Sequence, residues 1–276
     1  MMLQLLSLLF ACAAPDPGPR RCNGHAELCE RRLDEVVLPA AHNAMSNAES
    51  GFDWPNQGVD IGHQLTLGVR GMLLDTHRWR DGLWLCHGSC ELGATPLNVG
   101  LRAVWDFLVQ HPDEVVLFIL QDDIGAEANE QAFTESGLVP FTYTHDGGEW
   151  PTLNQLIDDN TRLVVTTEGL SGPPDWLQDF WVLGFDTPYD FSDPSEFSCA
   201  LNRGDADNDL FLLNHWITRV VPHPEDADVV NTFEVLHARA EQCAQEQDHI
   251  PNLVAVDFAD RGDLFAVVDA LNGVGE

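Results

Sequence analysis

Two histidines, His42 and His87, stand where proton transfer could be done. An imidazole changes charge near neutral pH, so one ring can take a proton while a second gives one in the same turnover. His42 is followed by Asn43 and closes an apolar run, Glu35–Ala41; His87 sits in Cys86-His87-Gly88 at the end of Leu83–His87. Other apolar runs end on polar or ionisable residues too. In order these are Asp75 with His77, Gln121-Asp122, Glu168, Asp186, Asn214-His215-Trp216 and Asp257. A polar residue at one loop start is ordinary. Two histidines, an Asn and several carboxylates in equivalent places make one working rim.

The elements that must position this rim are short and β-rich. Eight runs have strand character: Glu35–Ala41, Gly71–Thr76, Leu83–His87, Val115–Gln121, Leu163–Glu168, Trp181–Asp186, Leu210–Trp216 and Asn252–Phe258. Between them lie stretches with helical spacing. In Val99–His111, Leu101, Val104, Trp105 and Leu108 share a face, and Pro112 stops the helix. In Asp228–Gln247, the series Val229, Phe233, Leu236, Ala240 and Cys243 turns Cys243 inward. A last helix, Gly262–Asn272, is ended by Gly273. Strands alternating with helices predict an α/β fold, a TIM-type (β/α)8 barrel whose working groups gather at the C-terminal ends of its strands. The connection from Thr76 to Leu83 is too short for a helix, so the second and third strands form an irregular pair and the barrel is incompletely closed. A doubly wound open sheet competes, but no Gly-rich phosphate loop follows the first strand.

Composition sets the setting. The chain has 276 residues, 44% of them hydrophobic, which suffices for a full core. Its 45 acidic residues face 13 basic ones, every one an Arg, for a formal charge of −32. Such a surface repels polyphosphate, which excludes electrostatic nucleic-acid binding, and it attracts cations. The apolar stretch from Met1 to Ala11, ending at Cys12, reads as an export signal of the bacterial lipoprotein kind. Residues 1–21 are therefore a signal and Pro-rich tether, and residues 22–276 the barrel, exported as a cell-envelope lipoprotein or an extracellular protein. No segment offers the ~20 apolar residues of a membrane span, and a monomer is expected. Apart from Cys12 there are six cysteines, which allow 15 pairings. Proximity favours Cys22–Cys29, Cys86–Cys90 and Cys199–Cys243. Reduced core cysteines and a zinc site compete, though no C-x-x-C pair supports zinc.

From Leu38 through Asp122 the chain resembles the X domain of phosphatidylinositol-specific phospholipase C, in its secreted phosphodiesterase branch. The residues that carry this are Pro39-Ala40-Ala41-His42-Asn43-Ala44-Met45-Ser46, Pro55-Asn56-Gln57, Gln64-Leu65, and Gly68 through Thr76. They continue in Leu85-Cys86-His87-Gly88, Glu114-Val115-Val116, Leu213-Asn214-His215-Trp216 and Val254-Ala255-Val256-Asp257-Phe258. The resemblance implies a lipid-active phosphoric diester hydrolase in which His42 deprotonates an attacking hydroxyl and His87 protonates the leaving diacylglycerol oxygen. The roles reverse when water opens a cyclic phosphodiester. Asp257, on the last strand, would neighbour His42 in a barrel and orient its imidazole.

The family neutralises phosphate charge in two ways, by an Arg on strand two or by Ca2+. Asn43 and an Asp, Asp75, in the strand-two slot favour calcium, with Gln121 as the third ligand. Leu73 and Gln121 stand where the calcium branch carries acidic ligands. Arg78, just past strand two, is the alternative source of positive charge. Glu168, His215 and Trp216, with Asp186, are expected around the headgroup, since carboxylates hold hydroxyls and Trp stacks on a ring. The substrate is a phosphoinositide or related glycerophospholipid at a membrane surface. Two other functions compete. A glycerophosphodiester phosphodiesterase would carry Glu-x-Asp on strand two, a pattern that Leu73 breaks. A catalytically silent barrel binding lipid or glycan would have no use for the His pair.

Overall fold

The computed structural model describes residues 18–169 and 171–275, so Cys12 and the signal expected around it lie outside the described residues. Nine strands follow one path through the sheet, in the order β10-β9-β11-β12-β1-β2-β5-β7-β6. Their ranges are β1 (Leu38–Ala41), β2 (Gly71–Trp79), β5 (Val116–Asp122), β6 (Thr142–Tyr143), β7 (Leu163–Thr167), β9 (Gly184–Asp186), β10 (Arg203–Gly204), β11 (Leu210–His215) and β12 (Leu253–Val256). Three more hang from that path: β3 (Gly82–Leu85) and β4 (Thr95–Pro96) extend β2 antiparallel, and β8 (Leu177–Asp179) pairs with β7. The helices are α1 (Ile61–Leu67), α2 (Leu97–Gln110), α3 (Ala126–Ser136), α4 (Leu153–Asp158), α5 (Phe180–Leu183), α6 (Pro224–Val230), α7 (Phe233–Gln247) and α8 (Leu264–Asn272).

The strands from β9 round to β8 run parallel and curl into a barrel wall. Among the described residues no ladder joins β6 or β8 to β9 or β10, which leaves the wall open on that side. Seven of the eight expected runs contribute to this wall. The run Leu83–His87 does not: β3 folds back on β2 with Thr76 opposite Leu85, as the short connection required. Trp181–Asp186 divides into helix α5 and strand β9.

Period-two alternation sorts the core. Along β5, Val116, Phe118 and Leu120 pack outward with Leu101 and Val104 of α2 and Phe133 of α3. Leu117 and Ile119 pack inward with Leu38 and Ala40 of β1, Val164 of β7, Leu212 of β11 and Leu253 and Ala255 of β12. Both faces of a wall strand are dry, so these strands read as continuous apolar runs. At the contact of β1 with β2, a Cβ on Gly71 would stand 2.7 Å from the Ala40 side chain and from Leu253, which restricts that position to glycine. The three disulfides are Cys22–Cys29, Cys86–Cys90 and Cys199–Cys243, the pairing that proximity favoured.

Candidate active site

The inward alternation of each wall strand, continued past its C-terminal end, selects the site. Leu38 and Ala40 lead to His42, Leu253 and Ala255 to Asp257, Leu117 and Ile119 to Gln121, and Leu73 to Asp75 and then His77. On β7 the inward series from Val164 reaches Glu168; on β11 it runs from Leu212 to Asn214 and Trp216. A cavity of about 160 Å3 opens at this end, lined by His42, Asn43, Leu73, Asp75, Gln121, Glu168, Tyr189, Arg203, Asn214 and Trp216 among others.

Because β12 lies directly beside β1, Asp257 stands next to His42. The His42 Nδ1–H donates to Asp257 Oδ1 at 2.8 Å, which leaves Nε2 as the ring's lone-pair nitrogen. The Asn43 amide donates to that Nε2 at 3.0 Å. Trp216 stacks on the imidazole with centroids 3.7 Å apart and planes 4° from parallel. Asn56 donates to both Asp257 oxygens at 3.2 and 3.3 Å. Gln57 donates to the carbonyls of His42 and Val256, while its own carbonyl accepts from the Ala259 N–H. Half-buried His42 is thus gripped at the ring edge, the ring face and the backbone. The chain turns sharply just beyond it, with Asn43 in the left-handed region at φ 46°, a conformation Asn tolerates.

His87 stands beyond the cavity lining, on the rim after β3. No hydrogen bond holds its ring among the described residues, and its side chain reaches solvent. Desolvation by surrounding protein pushes its pKa below the ordinary histidine value, and the charge on His42 pushes it the same way. Asp257 acts in the opposite sense. Both interactions place His87 within electrostatic range of the His42–Asp257 pair. His77 faces inward as well, and its Nδ1 pairs with Asp123 at 2.9 Å.

The cavity floor is acidic. Asp75 is buried, its carboxylate has no hydrogen-bond partner among the described residues, and its pKa is pushed up to about 8 by burial, then by Glu168 and Asp123. Burial raises Glu168 too. A buried, partnerless carboxylate beside a second one is a place a cation would fill. Asp75, Glu168, Gln121 and Asn43, four oxygen donors on four adjacent strand ends, have the hard-ligand chemistry that Ca2+ takes. The residues present therefore fit that ion.

Arg203 is the cation that reading strand ends missed. Its guanidinium reaches Asp186 at 2.6 Å and Glu168 at 3.1 Å and lies over Trp181 and Tyr189. Asp186, fully buried, also accepts from the Arg203 backbone N–H and from Asn214, so it positions Arg203 more than it faces a ligand. The hairpin that delivers Arg203 needs Gly204: its φ is +79°, and a Cβ there would stand 2.2 Å from the Gly184 carbonyl oxygen. The available signal was that Arg203 is the sole basic residue between Arg162 and Arg219.

Two expected headgroup residues are elsewhere, both for reasons of alternation. Arg78 follows Met72, Leu74 and Thr76 on the outward series of β2; it donates to the Ile124 carbonyl at 2.7 Å and lines a cleft against α3. His215 follows Phe211 and Leu213 on the outward series of β11. It is fully buried behind the wall, where its Nε2–H donates to the Val230 carbonyl and its Nδ1 accepts from Arg239. Trp216 and Glu168 do line the cavity. His145, which lies outside the strand ends, is buried and stacked on Trp150.

Comparison with known proteins fits this geometry. The sequence profile described as "PI-PLC X 1" matches residues 28–272. A "PI-PLC X domain-containing protein 1" of Arthroderma benhamiae is 30% identical over 98% of this chain and 95% of its own length. An "Uncharacterized secreted protein" of the same fungus is 29% identical, over 94% of this chain and 66% of its length. Among solved structures, a variant of the phosphatidylinositol-specific phospholipase C of Staphylococcus aureus superposes with a TM-score of 0.62 at 15% identity, covering 90% of this chain and 95% of that one. That likeness gives the fold, a TIM-type barrel. With nearly its whole described length matched by the profile, the chain belongs to the PI-PLC X family.

Proposed function

We propose that this chain is a phosphodiesterase that cleaves a phosphoinositide or a related glycerophospholipid at the diacylglycerol side of its phosphate. The observation that carries the reading is the His42–Asp257 pair, with Nδ1 donated to the carboxylate and Nε2 facing a polar cavity. His42 Nε2, exchanging the Asn43 amide for a hydroxyl on the substrate's own headgroup, takes that hydroxyl's proton as the oxygen attacks phosphorus. Asp257 and the Trp216 face stabilise the imidazolium that results. His87 gives its proton to the departing diacylglycerol oxygen, so the proton removed from one oxygen is balanced by one delivered to another. Water then opens the cyclic phosphodiester with the two roles exchanged.

Asp75, Gln121, Asn43 and Glu168 would hold Ca2+, which when bound supplies positive charge against the phosphate. Arg203, held by Asp186, meets headgroup hydroxyls or phosphate oxygens beside Glu168, and Tyr189 and Trp216 offer ring faces. An exported location agrees with three disulfides and with a relative named as secreted. Among the described residues no helix is long and apolar enough to cross a membrane.

The test is phosphorus NMR of the purified protein with a panel of phospholipids, with and without a calcium chelator. The expected result is a phosphomonoester or cyclic phosphodiester product from an inositol lipid, abolished by the chelator and restored by added Ca2+. Turnover indifferent to the chelator would remove calcium and leave Arg203 as the charge-neutralising group. Binding of lipid without turnover of any phosphodiester would make the chain a lipid-binding barrel.

A further inference from the structure

His42 and His87 are held in different ways. Asp257, Asn43 and Trp216 fix His42 through its ring. His87 has no hydrogen-bond partner among the described residues, so the backbone that carries it must fix it. That backbone is the loop Cys86-His87-Gly88-Ser89-Cys90, and the Cys86–Cys90 disulfide closes it at both ends. His87, Gly88 and Ser89 are exposed, while both cysteines are buried. The disulfide belongs to a small core separate from those of the wall: Phe52, Cys86 and Cys90, with Trp79, Trp84 and Ala94 packed against them.

Phe52 comes from the loop that grips His42. This loop, residues 46–57, is pinned at its base, where the Asn56 and Gln57 backbone N–H groups both donate to the Ser46 carbonyl at 2.8 and 2.9 Å. The side chains of the same two residues hold the Asp257 carboxylate and the His42 carbonyl. Further along it, Phe52 packs with the disulfide, and the Asp53 N–H donates to the Leu92 carbonyl at 2.7 Å. One loop thus bears on His42 at its base and on the His87 loop at its far end.

We propose that Phe52 and the Cys86–Cys90 disulfide are positioning residues that set His87 at its working distance from His42. This rests on the phosphodiesterase reading and adds what places the acid. A proton donor must reach the leaving oxygen while the base reaches the attacking one, and a misplacement of about 1 Å can cost about a hundredfold. Without the bridge, the backbone bonds left to the loop are Cys86 N–H to the Asp75 carbonyl at 3.4 Å and Leu92 N–H to the Ser89 carbonyl at 3.0 Å. A bridge between residues 4 apart also removes less chain entropy than Cys199–Cys243, which spans 44. Its place around His87 therefore explains it better than general stability does.

The experiment compares wild type, Cys86→Ala/Cys90→Ala and Phe52→Leu on two substrates with one headgroup. Short-chain phosphatidylinositol has a leaving oxygen that needs a proton; the nitrophenyl ester of inositol phosphate has one that departs without it. Each variant should lower kcat on the phospholipid at least about tenfold more than on the nitrophenyl ester, with KM little changed. Equal losses on both substrates, or no loss on either, overturn the proposal. Thermal melting is the folding control, and Phe52→Leu, which keeps the disulfide, decides the matter if the double variant does not fold. NMR relaxation of the His87 Cε1–H reads the same placement without turnover. That ring should be as ordered as His42 in wild type and become mobile in the variants, with His42 unchanged; a His87 ring equally ordered in the variants overturns the proposal. Absence of turnover on both substrates would count against the phosphodiesterase reading alone, and the relaxation data would still decide the positioning.

Discussion

At the scale of single residues, the proposed chemistry depends on which nitrogen of His42 carries its proton. Asp257 decides that by accepting from Nδ1, and Asn56 decides where Asp257 points, with bonds to both of its oxygens. Asp257→Asn keeps the shape but puts an NH2 donor in place of one of the two acceptor oxygens and removes the charge that stabilises the imidazolium. The expected outcome is a fall in kcat of about a thousandfold with the melting temperature little changed, measured by steady-state assay and thermal denaturation. A fall smaller than tenfold would remove Asp257 from this role. The pair His42–Asp257 was legible in the sequence, because the last strand of a barrel lies beside the first. Asn56 and Gln57, which hold the pair in place, were visible only as part of a family resemblance. Their partners are the Asp257 carboxylate and the backbone carbonyls of His42 and Val256, and no spacing rule points to those.

At the scale of elements, the apolar runs mark where the strands end but not which face each terminal residue takes. His215 and Trp216 are adjacent in sequence and lie on opposite sides of the wall: Trp216 against His42, His215 against Arg239. The same one-residue distinction separates His77 from Arg78. Counting inward from Leu212 or Leu73 assigns all four, but it needs to be known which alternate set is inside, and both sets are apolar in these strands. His215 has a consequence for stability. Burial, and then the neighbouring Arg239, push its pKa down to about 3 from an ordinary 6.5. The folded chain thus keeps it neutral while the unfolded chain protonates it below 6.5. Its contribution is fully present above that pH and declines as pH falls towards 3, by as much as about 5 kcal/mol. His215→Gln retains an acceptor for Arg239 and a donor for Val230 without the titration. Denaturant unfolding between pH 7 and 4 should therefore show a shallower acid loss in that variant than in wild type. Equal slopes would mean that His215 is not the group being titrated.

At the scale of the whole molecule, charge is the dominant fact after the fold. A chain of −32 with no Lys is under self-repulsion that salt screens. Raising NaCl from about 0.05 M to 0.5 M should raise the melting temperature by several degrees, with a matching rise in the denaturant midpoint; a melting temperature that falls or stays level would mean the acidic residues are spaced widely enough not to matter. The barrel class was legible because strands and helices alternate. The open side of the wall was legible only in part, since the short link between β2 and β3 disclosed a hairpin, and the gap lies instead between β8 and β9. Arg203 was hidden by scale as well. It reaches the cavity on a two-residue strand, β10, paired antiparallel to β9, so no apolar run announced it.

Cleavage of a phosphodiester in the proposed way requires His42 and His87 to move one proton each. The most direct measurement is time-resolved phosphorus NMR of vesicles containing phosphatidylinositol, treated with the wild-type chain, His42→Gln or His87→Gln. Wild type should produce a cyclic phosphodiester ahead of the phosphomonoester, and each variant should slow its formation by at least about a hundredfold while remaining folded. A monoester formed with no cyclic precursor, or a folded His42→Gln variant that turns over at the wild-type rate, would contradict it.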